Sequence, residues 1–327
     1  MEIIDQDIYN LIPVELWARI IDSSYKIEHI AGLLFSCKQF FGLVKVLYSV
    51  IDVADLAIKY NKLDVLKYIL QLESFDSEFY ASGKLGVVDI NLWLKKACQY
   101  GHLNILKFLI DCGANYRFDR DKPVILAAEN GHLDIVEFLS TKKVNIRTQH
   151  NYPLEIACKQ GYTEIVKFLV ANKCNCWSKR SRALVNACRF GHLEIAKFLI
   201  ENGANINSNS NNLKPVYAAI IGGHVDVLDF LIMSGVGIEF TYAATTASCY
   251  NKLSVIKYLH NQNYVINFTF ALQEASCRGF VDIVEFLLTN CLDKINTCHI
   301  KIILKSDILG RHNDIVKVYM DNGFYQE

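Results

Sequence analysis

Between Leu133 and Leu139, apolar Leu133, Ile135, Val136 and Leu139 are interleaved with Asp134 and Glu137 so that the apolar set covers one wide helical face. Just upstream, Pro123-Val124-Ile125-Leu126-Ala127-Ala128-Glu129-Asn130 predicts a shorter helix with Pro in its first turn, where a missing N–H costs nothing. Gly131 between them predicts a left-handed stop. The same pattern returns along the chain. Its small residue recurs as Ala57, Ala97, Ala127, Ala157, Ala187, Ala219, Ala247 and Ala275, at spacings of 40, 30, 30, 30, 32, 28 and 28. Four residues after each stands Gly or Asn (Asn61 and Asn251 are the asparagines), and seven further on an aromatic, from Tyr68 to Phe286. Such a period predicts a stack of helix pairs that bury their apolar sides against one another. The alanine lets neighbouring helices approach closely.

The loops keep the same register. Asn115, Asn145, Asn175 and Asn205 are 30 residues apart, and Asn suits a turn by bonding nearby backbone through its side chain. Gly113, Gly203, Gly235 and Gly323 stand where second helices should stop. Lys143 and Lys173 hold that place in two units, which predicts less ideal ends there.

These units resemble ankyrin repeats. The turn motif Thr-Pro-Leu-His stands as Lys122-Pro123-Val124-Ile125, Tyr152-Pro153-Leu154-Glu155 and Lys214-Pro215-Val216-Tyr217, and Gly-His-Leu stands as Gly101-His102-Leu103, Gly131-His132-Leu133 and Gly191-His192-Leu193. The resemblance covers residues 51–327. It implies an all-α ankyrin-repeat solenoid of about nine helix-turn-helix units, with strands nearly absent. The Thr and His of the turn motif are missing, which puts the hydrogen bonds they make in doubt.

Hydrophobic residues make up 52% of the 327-residue chain and mean hydropathy is +0.17, high values that a stack with an apolar core along its whole length accounts for. No run reaches the roughly 18 apolar residues of a membrane span. The acidic start Met-Glu-Ile-Ile-Asp lacks the basic region of a signal peptide. With 34 basic and 34 acidic residues the chain is neutral, which argues against a general nucleic-acid or membrane-surface binder. These traits together point to a cytoplasmic protein, in the host cell if the chain is viral.

Eleven cysteines raise the question of metal or disulfides, and their places answer it. Cys98, Cys158 and Cys188 directly follow the repeat alanine, as small buried residues would, and Cys249 and Cys277 share the next position. Cys174-Asn175-Cys176 is too close for an ordinary zinc pair, and Cys291 with Cys298-His299 lacks a second half. No metal and no cofactor is expected. His102, His132, His192, His224 and His312 each follow the inter-helix position, so they are expected to serve the unit by capping the second helix or the one before it. A catalytic His occurs once, beside a nucleophile or base. With no phosphate loop or nucleophile elbow, an enzyme is not expected.

Residues 1–50 lack the period. Pro13, Glu15 and Leu16 read as a helix start, with Leu16, Ile20 and Ile21 on one stripe, and a second helix carries Leu33, Leu34, Cys37 and Phe40. The segment resembles an F-box, matching at Pro13, Glu15, Leu16, Ile20, Cys37, Lys38 and Phe40, with Ile12 in place of Leu. That resemblance implies that Pro13, Leu16, Ile20 and Phe40 dock a Skp1-type subunit of a cullin ubiquitin ligase. The alternative is a helical cap on a plain scaffold or blocking protein. An F-box-like segment ahead of ankyrin repeats is similar to the ankyrin families of giant DNA viruses of amoebae.

Some features depart from the period. An insertion near Ser74–Val88 predicts an exposed loop, and Asn207–Asn212 a long polar one. Asp307 and Arg311 replace the alanine and glycine of the last unit, as suits a cap facing water. The tips Tyr116–Asp121, Arg147–His150 and Trp177–Arg182 hold six basic residues against two acidic ones in a neutral chain. Trp and Arg are favoured interface anchors. Arg117, Phe118, Arg120, Arg147, His150, Trp177, Lys179, Arg180 and Arg182 are therefore the expected partner-binding residues, facing an acidic or phosphorylated protein on the concave side. Replacing Arg117, Arg147 and Arg180 by Glu is expected to leave the melting temperature nearly unchanged.

Overall fold

A computed structural model describes residues 53–67, 90–174, 182–209, 213–262, 264–300 and 312–324. The chain divides into two compact units, Met1–Asn145 and Ile146–Glu327. This division falls inside the repeats, while the expected boundary near residue 50 lies outside the described residues. So do the Ser74–Val88 insertion, Asp307 and Arg311, and Ser210–Asn212 of the long polar loop.

The first unit contains α1 (Val53–Lys59), the pair α2 (Ile90–Tyr100) and α3 (Leu103–Asp111), and the pair α4 (Phe118–Asn130) and α5 (Leu133–Thr141). The second contains the pairs α6 (Thr148–Gln160) and α7 (Thr163–Ala171), α8 (Ala183–Arg189) and α9 (Leu193–Glu201), α10 (Pro215–Gly222) and α11 (Val225–Met233), α12 (Phe240–Cys249) and α13 (Leu253–Asn261), α14 (Thr269–Arg278) and α15 (Val281–Asn290), then α16 (Asn313–Asp321). Among the described residues the only extended feature is a bridge at Leu213. The fold is all-α, as the period predicts.

Within each unit, first helices pack side by side and each packs on its own second helix; in the second unit the second helices also touch in series. The repeat alanines are fully buried. Ile135, Val136 and Leu139 are buried too, whereas Leu133 is only half-buried at the helix start. A larger residue at one of these buried alanines would overpack the joint, which costs about 1–3 kcal/mol.

Helix ends follow the sequence closely. Gly161 closes α6 at φ 86°, and Asn61 and Asn251 hold the same left-handed place at 56° and 54°. Lys143 and Lys173 are also left-handed, at 59° and 64°. A side chain there costs about 1–2 kcal/mol relative to a right-handed residue, so these two ends are strained as expected. α4 and α6 each begin with a left-handed turn of three residues, Asp119–Asp121 and Gln149–Asn151. Their regular helical part therefore starts at Lys122 and Tyr152, one residue before the proline.

Candidate interaction surface

The side chain six residues before a repeat alanine reaches forward to the next loop. Asn91 Oδ1 accepts from the Asn115 N–H at 2.8 Å, Thr241 Oγ1 from Asn267 at 3.3 Å, and Thr269 Oγ1 from Asn296 at 2.8 Å. The receiving Asn then closes its own turn. Asn115, Asn205, Asn267 and Asn296 each accept at Oδ1 from the N–H two residues on, at 2.9–3.0 Å. The turn chemistry expected of Asn115 and Asn205 is present; Asn175 lies outside the described residues.

The repeated histidines work one unit back. His102 Nε2 lies 3.1 Å from the Lys59 carbonyl, His132 Nε2 3.0 Å from Gln99, and His192 Nε2 3.0 Å from Lys159. These carbonyls end first helices and have no partner within their own helix. The rings make no side-chain cap on the helices they precede. Of the two expected roles, capping the following helix is not made, and the helix that is capped belongs to the preceding pair. The ring also lies on the preceding glycine: a Cβ at Gly101 would come within 2.4 Å of His132, and one at Gly161 within 2.5 Å of His192.

From Phe108 to Phe286 the periodic aromatics sit half-exposed on the second helices. A lysine from the preceding second helix covers four of them: Lys67 over Phe108, Lys107 over Phe138, Lys197 over Phe230 and Lys257 over Phe286, at 5.2–6.0 Å from the ring centroids. Such contacts are worth about 0.5–1 kcal/mol at exposed sites. The cysteines are packing residues where expected: Cys98, Cys158 and Cys188 are buried, and burial pushes the Cys188 thiol up to about 12.

The expected binding residues fall in different surroundings. In the first unit Phe118 is half-buried and Arg120 exposed in the left-handed turn. Arg117 keeps 56% of its side chain exposed, yet its Nε donates to Oδ1 of buried Asp121 at 3.3 Å. Its replacement by Glu would set two carboxylates together, so the expectation of an unchanged melting temperature does not hold for Arg117. In the second unit Arg147, His150 and Arg182 are exposed. Trp177, Lys179 and Arg180 lie outside the described residues, as do Pro13, Leu16, Ile20 and Phe40.

On the exposed face of the first helices in the second unit, sequence reasoning named Arg182 and missed the other residues in its register. Five residues before successive repeat alanines stand Tyr152, Arg182, Lys214, Tyr242 and Phe270, all exposed. The available signal was the loss of the small Thr that this place holds in the turn motif. Glu155, in the motif's His place, restores a loop bond: its Oε1 accepts from the Arg182 N–H at 3.1 Å, and its carbonyl from Asn186 Nδ2 at 3.0 Å. Burial pushes the Glu155 carboxyl up, against the pull of the Arg182 N–H and the charges of Arg182 and His150.

Helix pairs in this register, with buried alanines and left-handed glycine ends, define an ankyrin-repeat protein. The family described as ankyrin repeats (3 copies) matches residues 94–180 and 154–242. Among relatives, all from Acanthamoeba polyphaga mimivirus, the uncharacterized protein L95 is 95% identical over 107 residues, 33% of this chain and 100% of that one. Ankyrin repeat protein L42 is 40% identical over 121 residues, 37% of this chain and 33% of that one, and ankyrin repeat protein R844 is 31% identical over 124 residues, 38% and 56%. Residues 94–242 thus carry ankyrin repeats, and the chain is similar to these viral proteins over about a third of its length. It spans a third and just over half of the length of the last two. Among the described residues no helix is long and apolar enough to cross a membrane, and no cluster of three His, Cys, Asp or Glu could hold a metal ion.

Proposed function

We propose that this chain is a non-catalytic adaptor that holds another protein against its first helices and loop tips, and that residues 1–50 link that cargo to a Skp1-type subunit of a host ubiquitin ligase. The observation that carries the first half is the contrast between two sets of side chains. Residues that recur along the repeats, the alanines, glycines, histidines and aromatics, are spent on packing and capping. Large side chains that do not recur, Arg182, Lys214, Tyr242 and Phe270 among them, stand exposed on one helix face. A face free of packing duties is available for a partner, and Arg and Tyr are favoured anchors. The basic tips suit an acidic or phosphorylated target, with Arg117, Arg147, Arg180 and Trp177 as first contacts. The ligase half is supported by the Pro13, Glu15, Leu16, Ile20 and Phe40 pattern alone. On this reading the chain works in the host cytoplasm, and catalysis belongs to the other subunits through proximity.

Co-purification of the full chain with a Skp1-type protein tests the ligase half. Wild type should retain the subunit, and a Pro13→Ala, Leu16→Ala double variant should lose it. Equal weak retention by both would leave a plain scaffold or blocking protein with a helical cap.

A further inference from the structure

Charge in the second unit is segregated by face. Residues three, four and seven apart share one side of a helix. On the first helices that side carries Lys159 of α6, Arg182 and Arg189 at the two ends of α8, and Lys214 before α10, all exposed. None of these cations is ion-paired with a described residue, and Lys159 lies over the Phe190 ring at 5.6 Å from its centroid. The one carboxylate among them, Glu155, accepts the Arg182 backbone N–H. The second helices of the same pairs have the opposite sign. Glu164, Glu194, Glu201, Asp226 and Asp229 face Lys167 and Lys197, and each lysine is held by a neighbouring glutamate, at 2.8 and 3.1 Å.

Past α10 the first-helix face changes character. Tyr242 and Phe270 are 55% and 52% exposed. Tyr217 of α10 meets Tyr242 edge-on at 5.1 Å, so the exposed rings continue past α10 where the cations stop, whereas Tyr152 and Phe190 before it stand among the cations. The remaining charges are engaged: Glu239 caps α12 through the Tyr242 N–H at 3.1 Å, and Arg278 is bound to Glu274 at 3.2 Å.

We propose that this face takes one extended protein segment, acidic where it crosses α6 to α10 and apolar or aromatic where it crosses α12 and α14. The proposal rests on the adaptor reading above and gives its partner a chemistry. Four exposed cations on a face whose reverse side is acidic steer an acidic chain to one side only. The half-exposed rings beyond them supply anchors of the kind that dominate interface energies. A single-stranded nucleic acid is the poorer fit, because it needs cations beside its stacking platforms along the whole track. Here Tyr152 and Phe190 have cations beside them, but α12 and α14 offer no free cation to a phosphate next to Tyr242 and Phe270.

The test is selection of a random dodecapeptide display library on the full chain. Wild type should enrich peptides with Asp or Glu in one half and Phe, Trp or Leu in the other. Arg182→Glu with Lys214→Glu should erase the acidic enrichment and weaken a selected peptide by about tenfold or more. Tyr242→Ala with Phe270→Ala should erase the apolar half and keep the acidic one. Thermal melts establish that the variants fold; where a pair does not, Lys214→Glu and Tyr242→Ala alone carry the comparison. Enrichment without this two-part character, indifference to both variants, or retention of a random RNA pool with the same sensitivity overturns the proposal. Should that happen while the chain still retains a Skp1-type subunit, the adaptor reading stands and this one falls. Loss of the subunit with the peptide result intact is the reverse outcome.

Discussion

Tyr258 on α13 donates its hydroxyl to Asp229 on α11 at 2.7 Å. At four other joints the same two places hold a lysine over a phenylalanine, as in Lys197 over Phe230 and Lys257 over Phe286. At this joint the lysine is replaced by an acid and the phenylalanine by a ring that donates. Two chemistries thus serve one joint between second helices, and burial with the Asp229 carboxylate holds the Tyr258 phenol well above the ordinary tyrosine range.

Exchanging one chemistry for the other should be tolerated only as a pair. Tyr258→Phe removes the donor and should lower stability by about 0.5–1.5 kcal/mol. Asp229→Lys alone should cost a similar amount, since it leaves the hydroxyl facing a cation. The double variant recreates the lysine-over-phenylalanine contact and should recover most of the loss. Denaturant melts of the four proteins give the coupling; strictly additive losses would show that the pair is incidental.

A second coupled pair is Gly161 and His192. Gly161→Ala strains a left-handed residue by about 1–2 kcal/mol and drives a Cβ into the imidazole. The total loss should therefore exceed the backbone term. His192→Ala should cost about 1 kcal/mol by freeing the Lys159 carbonyl. In that background Gly161→Ala should cost only its backbone strain. An unchanged cost would mean that the ring moves aside freely.

The repeat was legible because its marks are local requirements of the backbone. A helix stop needs glycine or asparagine, a tight joint needs alanine, and a turn needs Asn115 or Asn205, so all recur at one spacing. The histidines show the limit. Their period marked them as serving the unit, but the carbonyl that His132 binds is 33 residues back, and nothing local points there. The first-helix face was less legible still. Lys214, Tyr242 and Phe270 share one repeat position but satisfy no packing rule, so their residue type does not recur. Only their large size in the place of a small Thr set them apart. The tips drew notice for their arginines, which hid the fact that Arg117 is tied to Asp121 within its own turn.

That tie sets a prediction for the first unit. Asp121 keeps only 11% of its side chain exposed, and Arg117 is its ion-pair partner across the left-handed turn. Arg117→Glu should destabilise by about 1–3 kcal/mol, the range for a strained or unpaired buried charge. Arg189→Glu, at an exposed and unpaired site, should shift stability by less than about 0.5 kcal/mol. If both variants melt with the wild type, the Arg117 pair contributes nothing and its side chain is as available as those of the other tips.

Glu155 gives the fold a dependence on pH. Burial raises its carboxyl above the ordinary 4.5, with the Arg182 N–H and the charges of Arg182 and His150 pulling against it. The folded state therefore holds this proton more tightly than the unfolded chain does. Its stabilising contribution is complete below the unfolded value and is lost as pH rises through the raised folded one. At neutral pH the group is ionised at a cost that Glu155→Gln should avoid while keeping an oxygen for the Arg182 N–H. The variant should match wild type near pH 4 and melt higher near pH 7.5, by a margin that solvent screening keeps below about 1 kcal/mol. Melts of both proteins across that window read the difference directly. A gap that is constant with pH, or widest in acid, would show that the carboxylate is stabilised in the fold rather than strained by it.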